Sequence, residues 1–102
     1  MGKEEISKKI IPFLIQAGVT RAGLFGSAAR GQLTAKSDVD LLVDLPKKTS
    51  LLSFVDIKLQ LEEMLKRPVD LVEYAAIKPR LKERILNEEV RIYDQKMVGG
   101  KF

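Results

Sequence analysis
A single α/β domain, with a small mixed β-sheet and helices packed mainly on one face, is the fold class that the sequence predicts. Three observations lead there. The chain of 102 residues has the common size of one domain and leaves no room for a second core. Apolar residues make up 45% and charged residues 31%, which is enough to bury a core and keep its exterior in water. Helical spacings alternate with short branched-aliphatic runs in the order α-β-α-β-α-β-α, and no internal repeat or Pro/Gly/Ser-rich linker interrupts them. The expected domain spans residues 1–95, with 96–102 as a flexible tail carrying Gly99 and Gly100.

The first helix is read from Lys3 to about Ala17, with Ile6, Ile10, Phe13, Leu14 and Ala17 at helical spacing and Gly18 as a left-handed stop. Pro12 inside it predicts a kink near Lys8 or a late start. Val19 to Phe25 reads as a strand, Gly26 breaks it, and a short helix runs to about Arg30 before Gly31. After a polar loop, Asp38 to Asp44 reads as a second strand, ended by Pro46, with Asp44 as a solvated turn residue. Ser50 is the expected N-cap of a helix to about Lys66, whose polar face holds Ser53, Asp56, Gln60 and Glu63. Leu51, Val55, Leu59, Leu61 and Leu65 form its apolar remainder, expected to pack across the sheet. Val69 to Tyr74 is a third strand. A last helix from Pro79 to about Asn87 is expected to bury Leu81, Ile85 and Leu86, and Val90 to Tyr93 forms a short closing strand.

The composition excludes much chemistry. With no Cys and no His, a disulfide framework, a thiolate or imidazole zinc site and a Ser/His or Cys/His nucleophilic pair are all ruled out. Any metal must be hard and oxygen-bound, and any general base is a carboxylate, a Lys, a Tyr or water. The net charge of +4 is compatible with phosphate-bearing ligands. Its Lys and Arg are interleaved with acids, and no stacking or recognition-helix signature stands out, so direct nucleic-acid binding is not expected. No apolar stretch approaches the roughly 20 residues that cross a bilayer, and Met1-Gly2-Lys3-Glu4-Glu5 places acids where a signal peptide is basic and then apolar. No membrane association and a cytoplasmic location are expected.

Carboxylates are therefore the residues to follow. Alternation along a strand sends Asp38 and Asp40 to one face and Val39, Leu41 and Val43 to the other. Two like charges so placed are either an exposed edge or, with a cation between them, a metal site. Asp70 opens another apolar strand, and a third acid joins the pair if the two strands are neighbours. Such an oxygen-only set suits Mg²⁺ together with substrate phosphates. Upstream, Gly26-Ser27 opens a short helix, where free backbone N–H groups make an anion site and the Ser27 hydroxyl either contacts phosphate or caps the helix. Arg30, one turn beyond, is placed to reach phosphate or the acids.

Taken together, a strand, Gly26-Ser27-Ala28-Ala29-Arg30-Gly31, a polar loop and Ser37-Asp38-Val39-Asp40-Leu41-Leu42-Val43 resemble the DNA polymerase beta-like nucleotidyltransferases. More narrowly, the chain is similar to the minimal nucleotidyltransferase (MNT) domains encoded beside HEPN proteins. The resemblance implies the nucleotidyltransferase fold. It implies a phosphate-binding turn at Gly26 and Ser27 with Arg30 as the basic position, metal-ligating Asp38 and Asp40, and Asp70 as the third acid, base or ligand. Ala28 stands where the family often carries an Arg, which removes one phosphate contact. The implied reaction uses two Mg²⁺ ions and a nucleoside triphosphate, ATP, to move AMP to a hydroxyl. The implied acceptor is a tyrosine of a partner HEPN ribonuclease toxin, which makes this chain an antitoxin. Neutralisation of that partner by contact alone is the alternative.

Overall fold
The computed structural model describes residues 2–34 and 37–96; the expected tail falls, apart from Lys96, outside them. Nine elements follow in order: α1 (Lys3–Gln16), β1 (Arg21–Phe25), α2 (Gly26–Ala29), β2 (Val39–Asp44), α3 (Leu51–Leu65), β3 (Val69–Glu73), a 3-10 turn (Tyr74–Ala76), α4 (Pro79–Glu88) and β4 (Val90–Asp94). The sheet order is β3-β2-β1-β4. β1 runs antiparallel to β2 and β4, whereas β2 and β3 are parallel. Parallel neighbours require a crossover, and α3 supplies it.

α1 buries Ile6, Ile10 and Leu14 completely and carries Glu4 and Glu5 in its first turn, where the positive end of the helix dipole favours acids. It starts at Lys3 in spite of Pro12, which is exposed. Its end is a Schellman motif, in which the N–H of Gly18 donates to Ile15 O and that of Val19 to Leu14 O. Gly18 takes the left-handed conformation this requires, with φ +90°.

α3 begins on Ser50, whose Oγ accepts the Ser53 N–H at 3.1 Å. Its buried stripe differs from the sequence expectation. Ile57, Leu61 and Leu65 enter the core, whereas Leu51, Leu52, Val55 and Leu59 face outward. A helix lays only about a third of its circumference on a sheet, and α3 is apolar on more than one side, so apolarity alone could not select the buried one. With α1 it covers the face formed by Ala22, Leu24, Val39, Leu41, Val43, Val69 and Leu71.

Among the described residues, the opposite face is covered by the 3-10 turn, Ile77 and α4, and no residue of α4 is buried. Leu81 is 40% exposed, and Ile85 and Leu86 are half-buried, contrary to the burial expected of them. The helix is tethered instead by polar contacts at its end. The Tyr74 hydroxyl donates to Glu89 Oε2 and Arg91 Nη2 donates to Glu89 Oε1, while the Arg21 guanidinium lies 4.0 Å above the Tyr74 ring. Burial, then the Glu89 carboxylate, pushes the Tyr74 phenol well above its ordinary value, so it remains a donor. Asp44 is no turn residue: it closes β2 and pairs with Arg21 at 2.7 Å.

Gly23 makes this arrangement possible. A Cβ there would collide with the Glu89 carboxylate and stand 2.8 Å from the Tyr74 hydroxyl. Gly23→Ala is therefore expected to lower unfolding stability by about 1–3 kcal/mol through overpacking, measured as the urea midpoint at unchanged m-value; an unchanged midpoint would contradict this role.

Candidate active site
Asp40 lies at the centre of the site because of strand register. In the antiparallel pair it faces Phe25, the last residue of β1, and in the parallel pair it faces Asp70. Val39 and Leu41 point into the core, so alternation turns Asp40 to the α4 side. Directly opposed residues on adjacent strands share a face, which puts the Asp70 carboxylate beside that of Asp40. Asp38, exposed, precedes β2 by one residue. Burial, followed by the charges of Asp70 and Asp38, holds the Asp40 carboxyl above its ordinary range.

Gly26 closes the other side. Its φ is +63°, and a Cβ on it would come within 2.5 Å of Asp40 Oδ2. The missing side chain thus lets the turn after β1 lie against the acid, in a backbone conformation that favours glycine. α2 begins at Gly26 with Phe25 as N-cap and no side-chain cap bond, so Ser27 stands within the first turn and does not cap it. Arg30 ends this helix, exposed, with its Nε donating to Gln32 Oε1 at 3.0 Å. Gly31, with φ +68°, follows as the stop.

Two residues that sequence inspection did not single out hold these parts in place. Arg67 Nη1 donates to the carbonyl oxygen of Thr34 at 2.9 Å and to that of Ser37 at 3.5 Å, bracing the approach to Asp38. The Glu62 carboxylate accepts the N–H of Val69, next to Asp70, at 2.9 Å. That bond, and then Lys58, keeps Glu62 ionised below the usual carboxylate range. Their sequence signal was only a position near the end of α3, where many charged residues are simply solvated.

A cleft of about 310 Å³ opens over Asp40 and Asp70, walled by Phe25, Val72, Ile77 and Ile85. The groove between α1 and α3 is larger, about 730 Å³, but holds none of these acids. The cleft combines apolar walls with a few converging polar groups, as small-molecule sites do.

Among the described residues, no three acids already stand gathered as metal ligands. The donor set nonetheless fits a hard divalent cation. It is oxygen-only, it sets Asp40 beside Asp70 by register, and the charges of Asp70 and Asp38 both act against ionised Asp40.

The relatives of the chain agree with this architecture. A relative in Methanocaldococcus jannaschii, provisionally named a protein adenylyltransferase, is 48% identical over 92 residues, covering 90% of this chain and 99% of its own. A solved structure provisionally described as a minimal nucleotidyltransferase superposes with a TM-score of 0.77 at 34% identity, covering 88% of this chain and 95% of that one. A third similarity is to the structure of a tri-AMPylated Shewanella oneidensis HEPN toxin in complex with MNT antitoxin, with a TM-score of 0.71 at 18% identity and coverage of 96% and 77%. That identity speaks for the fold alone. The profile of the polymerase beta nucleotidyltransferase family matches residues 8–97, and the chain, a nucleotidyltransferase, belongs to that family.

Proposed function
We propose that the chain transfers AMP from ATP to a hydroxyl of a protein, a tyrosine of a partner HEPN toxin, and so acts in the cytoplasm as that toxin's antitoxin. The observation that carries this reading is the position of Asp40, between the side-chain-free Gly26 turn and Asp70. Nucleotidyl transfer needs a phosphate-binding turn and converging carboxylates within reach of one another, and the registers Phe25–Asp40 and Asp40–Asp70 support this reading. The name of the 48% identical relative supports a protein acceptor, and the likeness to the Shewanella oneidensis complex supports a HEPN partner.

In this mechanism Asp38, Asp40 and Asp70 would hold the two Mg²⁺ ions. When bound, the ions supply positive charge to the triphosphate and lower the pKa of the attacking hydroxyl. The first-turn amides of Gly26 and Ser27, with the Ser27 hydroxyl, bind the β- and γ-phosphates. Arg30 adds charge there once it leaves Gln32. The hydroxyl oxygen attacks the α-phosphorus in line, its proton passes to Asp70, and the bond to the bridging oxygen breaks. The donors of the Gly26 turn take up the charge that develops on pyrophosphate. Phe25, Ile77 and Ile85 exclude water from the cleft.

A second reading, neutralisation by contact, is favoured by the outward apolar residues of α3, with Leu51 77% and Leu52 83% exposed. Catalysis separates the two. Asp38→Asn or Asp40→Asn is expected to lower AMP transfer at least 100-fold with unchanged circular dichroism; undiminished product would exclude the assignment of these acids. The co-expressed HEPN partner is expected to gain the mass of one or more AMP units, and to gain none beside the Asp38→Asn protein. Protection of cells by an Asp38→Asn, Asp40→Asn double variant would favour the contact reading.

The raised pKa of Asp40 adds a stability prediction. In the fold its ionised form is disfavoured, so Asp40 weakens the native state above its folded-state pKa and ceases to do so as pH falls and it takes up a proton. Solvent screens part of this effect. In metal-free buffer at neutral pH, Asp40→Asn is expected to raise the Tm by a few degrees, with the gain vanishing toward acid pH; a Tm equal to or below that of the unaltered protein at neutral pH would contradict it.

A further inference from the structure
The helix over the cleft carries charge that the reaction as described does not use. α4 leaves the sheet after β3, whose last residue Glu73 lies beside Val43, and returns it at Val90, beside Leu24. It therefore crosses the open face from one edge strand to the other. Lys78, Lys82, Ile85 and Glu89 fall on one stripe at i, i+4, i+7 and i+11. Ile85 lines the cleft and Glu89 is bonded to Tyr74 over Gly23. The stripe thus looks toward the sheet; Ile77, the residue before Lys78, lines the cleft together with Asp70, and Lys78 and Lys82 are exposed.

Four cations, Lys78, Arg80, Lys82 and Arg84, stand within seven residues against the single acid Glu83. Of these four, only Arg84 has an ion-pair partner among the described residues, Glu88 at 3.9 Å. Leu81 sits amid these cations and is 40% exposed. An apolar side chain flanked in sequence by Lys78, Arg80 and Lys82, for which no ion pair is seen among the described residues, matches a partner with an apolar anchor flanked by acids. The nucleotide's phosphates do not account for the charge, because the Gly26 turn lies across Asp40 from β3, at the end of β1.

We propose that the N-terminal half of α4 is the docking surface for the acceptor polypeptide, which presents its hydroxyl to Asp70 from an acidic segment and seats an apolar residue against Leu81. The proposal rests on the transfer reading for the identity of the occupant, and it assigns that occupant its chemistry.

Binding without turnover tests it. Three fluorescent tyrosine peptides, with a leucine near the tyrosine and flanks of glutamate, glutamine or lysine, are titrated by anisotropy into the full chain holding Mg²⁺ and α,β-methylene ATP. The glutamate-flanked peptide is expected to bind about tenfold tighter than the glutamine-flanked one, with a preference that fades as salt rises. K78Q/R80Q/K82Q is expected to abolish the preference while leaving Tm and affinity for the ATP analogue unchanged, since these side chains are exposed. Asp38→Asn is expected to keep the preference, so loss of catalysis and loss of docking are read separately. Equal binding of all three peptides, no measurable binding of the glutamate-flanked one, or a preference that survives in the triple variant would overturn the proposal. So would a loss of ATP-analogue affinity in the triple variant, which would assign these cations to the nucleotide, or tighter binding of an oligoribonucleotide than of the acidic peptide.

Discussion
The repulsion among neighbouring carboxylates is the constraint on which the site depends. Asp40 is held between the end of β1 and the start of β3, beside Asp70 and close in sequence to Asp38. Burial and those two charges work against its ionised form. A sheet optimised only for stability would place an apolar or hydrogen-bonding residue there, and the acid is best explained by a ligand that compensates the charge. The rest of the fold keeps this unfavourable set together. Val39, Leu41 and Val43 anchor β2 in the core, Val69 and Leu71 anchor β3, and Gly26 gives up its side chain so that the turn lies against the carboxylate.

The two faces of the sheet divide the labour accordingly. α1 and α3 bury the branched aliphatics on one side and supply most of the hydrophobic stabilisation. The other side carries the acids and the cleft, and α4 lies over it with no buried residue. A helix so lightly packed derives little from burial; it is fixed chiefly by the Tyr74–Glu89–Arg91 contacts around Gly23. These polar contacts specify a position and leave the cleft open beneath the helix, and segments near active sites are commonly drawn from the less stable parts of a fold.

Much of this was legible in the sequence, for local reasons. Alternation alone separates Asp40 from Val39 and Leu41, and the Gly18 stop and Ser50 cap are short-range chemistry that the structure reproduces in its hydrogen bonds. What escaped depends on tertiary partners. The pairing of β3 beside β2, which brings Asp70 to Asp40, was only a condition in the sequence. Asp44 read as a turn residue because its partner Arg21 lies on another strand. Ser27 taken by itself read more readily as a cap, a role excluded by a helix that begins one residue earlier. The inward side of α3 was ambiguous because Leu51, Val55 and Leu59 are as apolar as Ile57, Leu61 and Leu65, and only a sheet on one side decides between them. Leu81, Ile85 and Leu86 resembled a core stripe, but α4 lies over an open cleft and buries none of them.

The central claim is geometric: the acids of β2 and β3 share divalent ions opposite a turn that holds the departing phosphates. The most direct measurement is anomalous diffraction from crystals grown with Mn²⁺ and α,β-methylene ATP. The predicted result is manganese peaks ligated by Asp38, Asp40 and Asp70, with the β- and γ-phosphates on the amides of Gly26 and Ser27. Manganese bound elsewhere, or a triphosphate lying away from the Gly26 turn, would contradict the account.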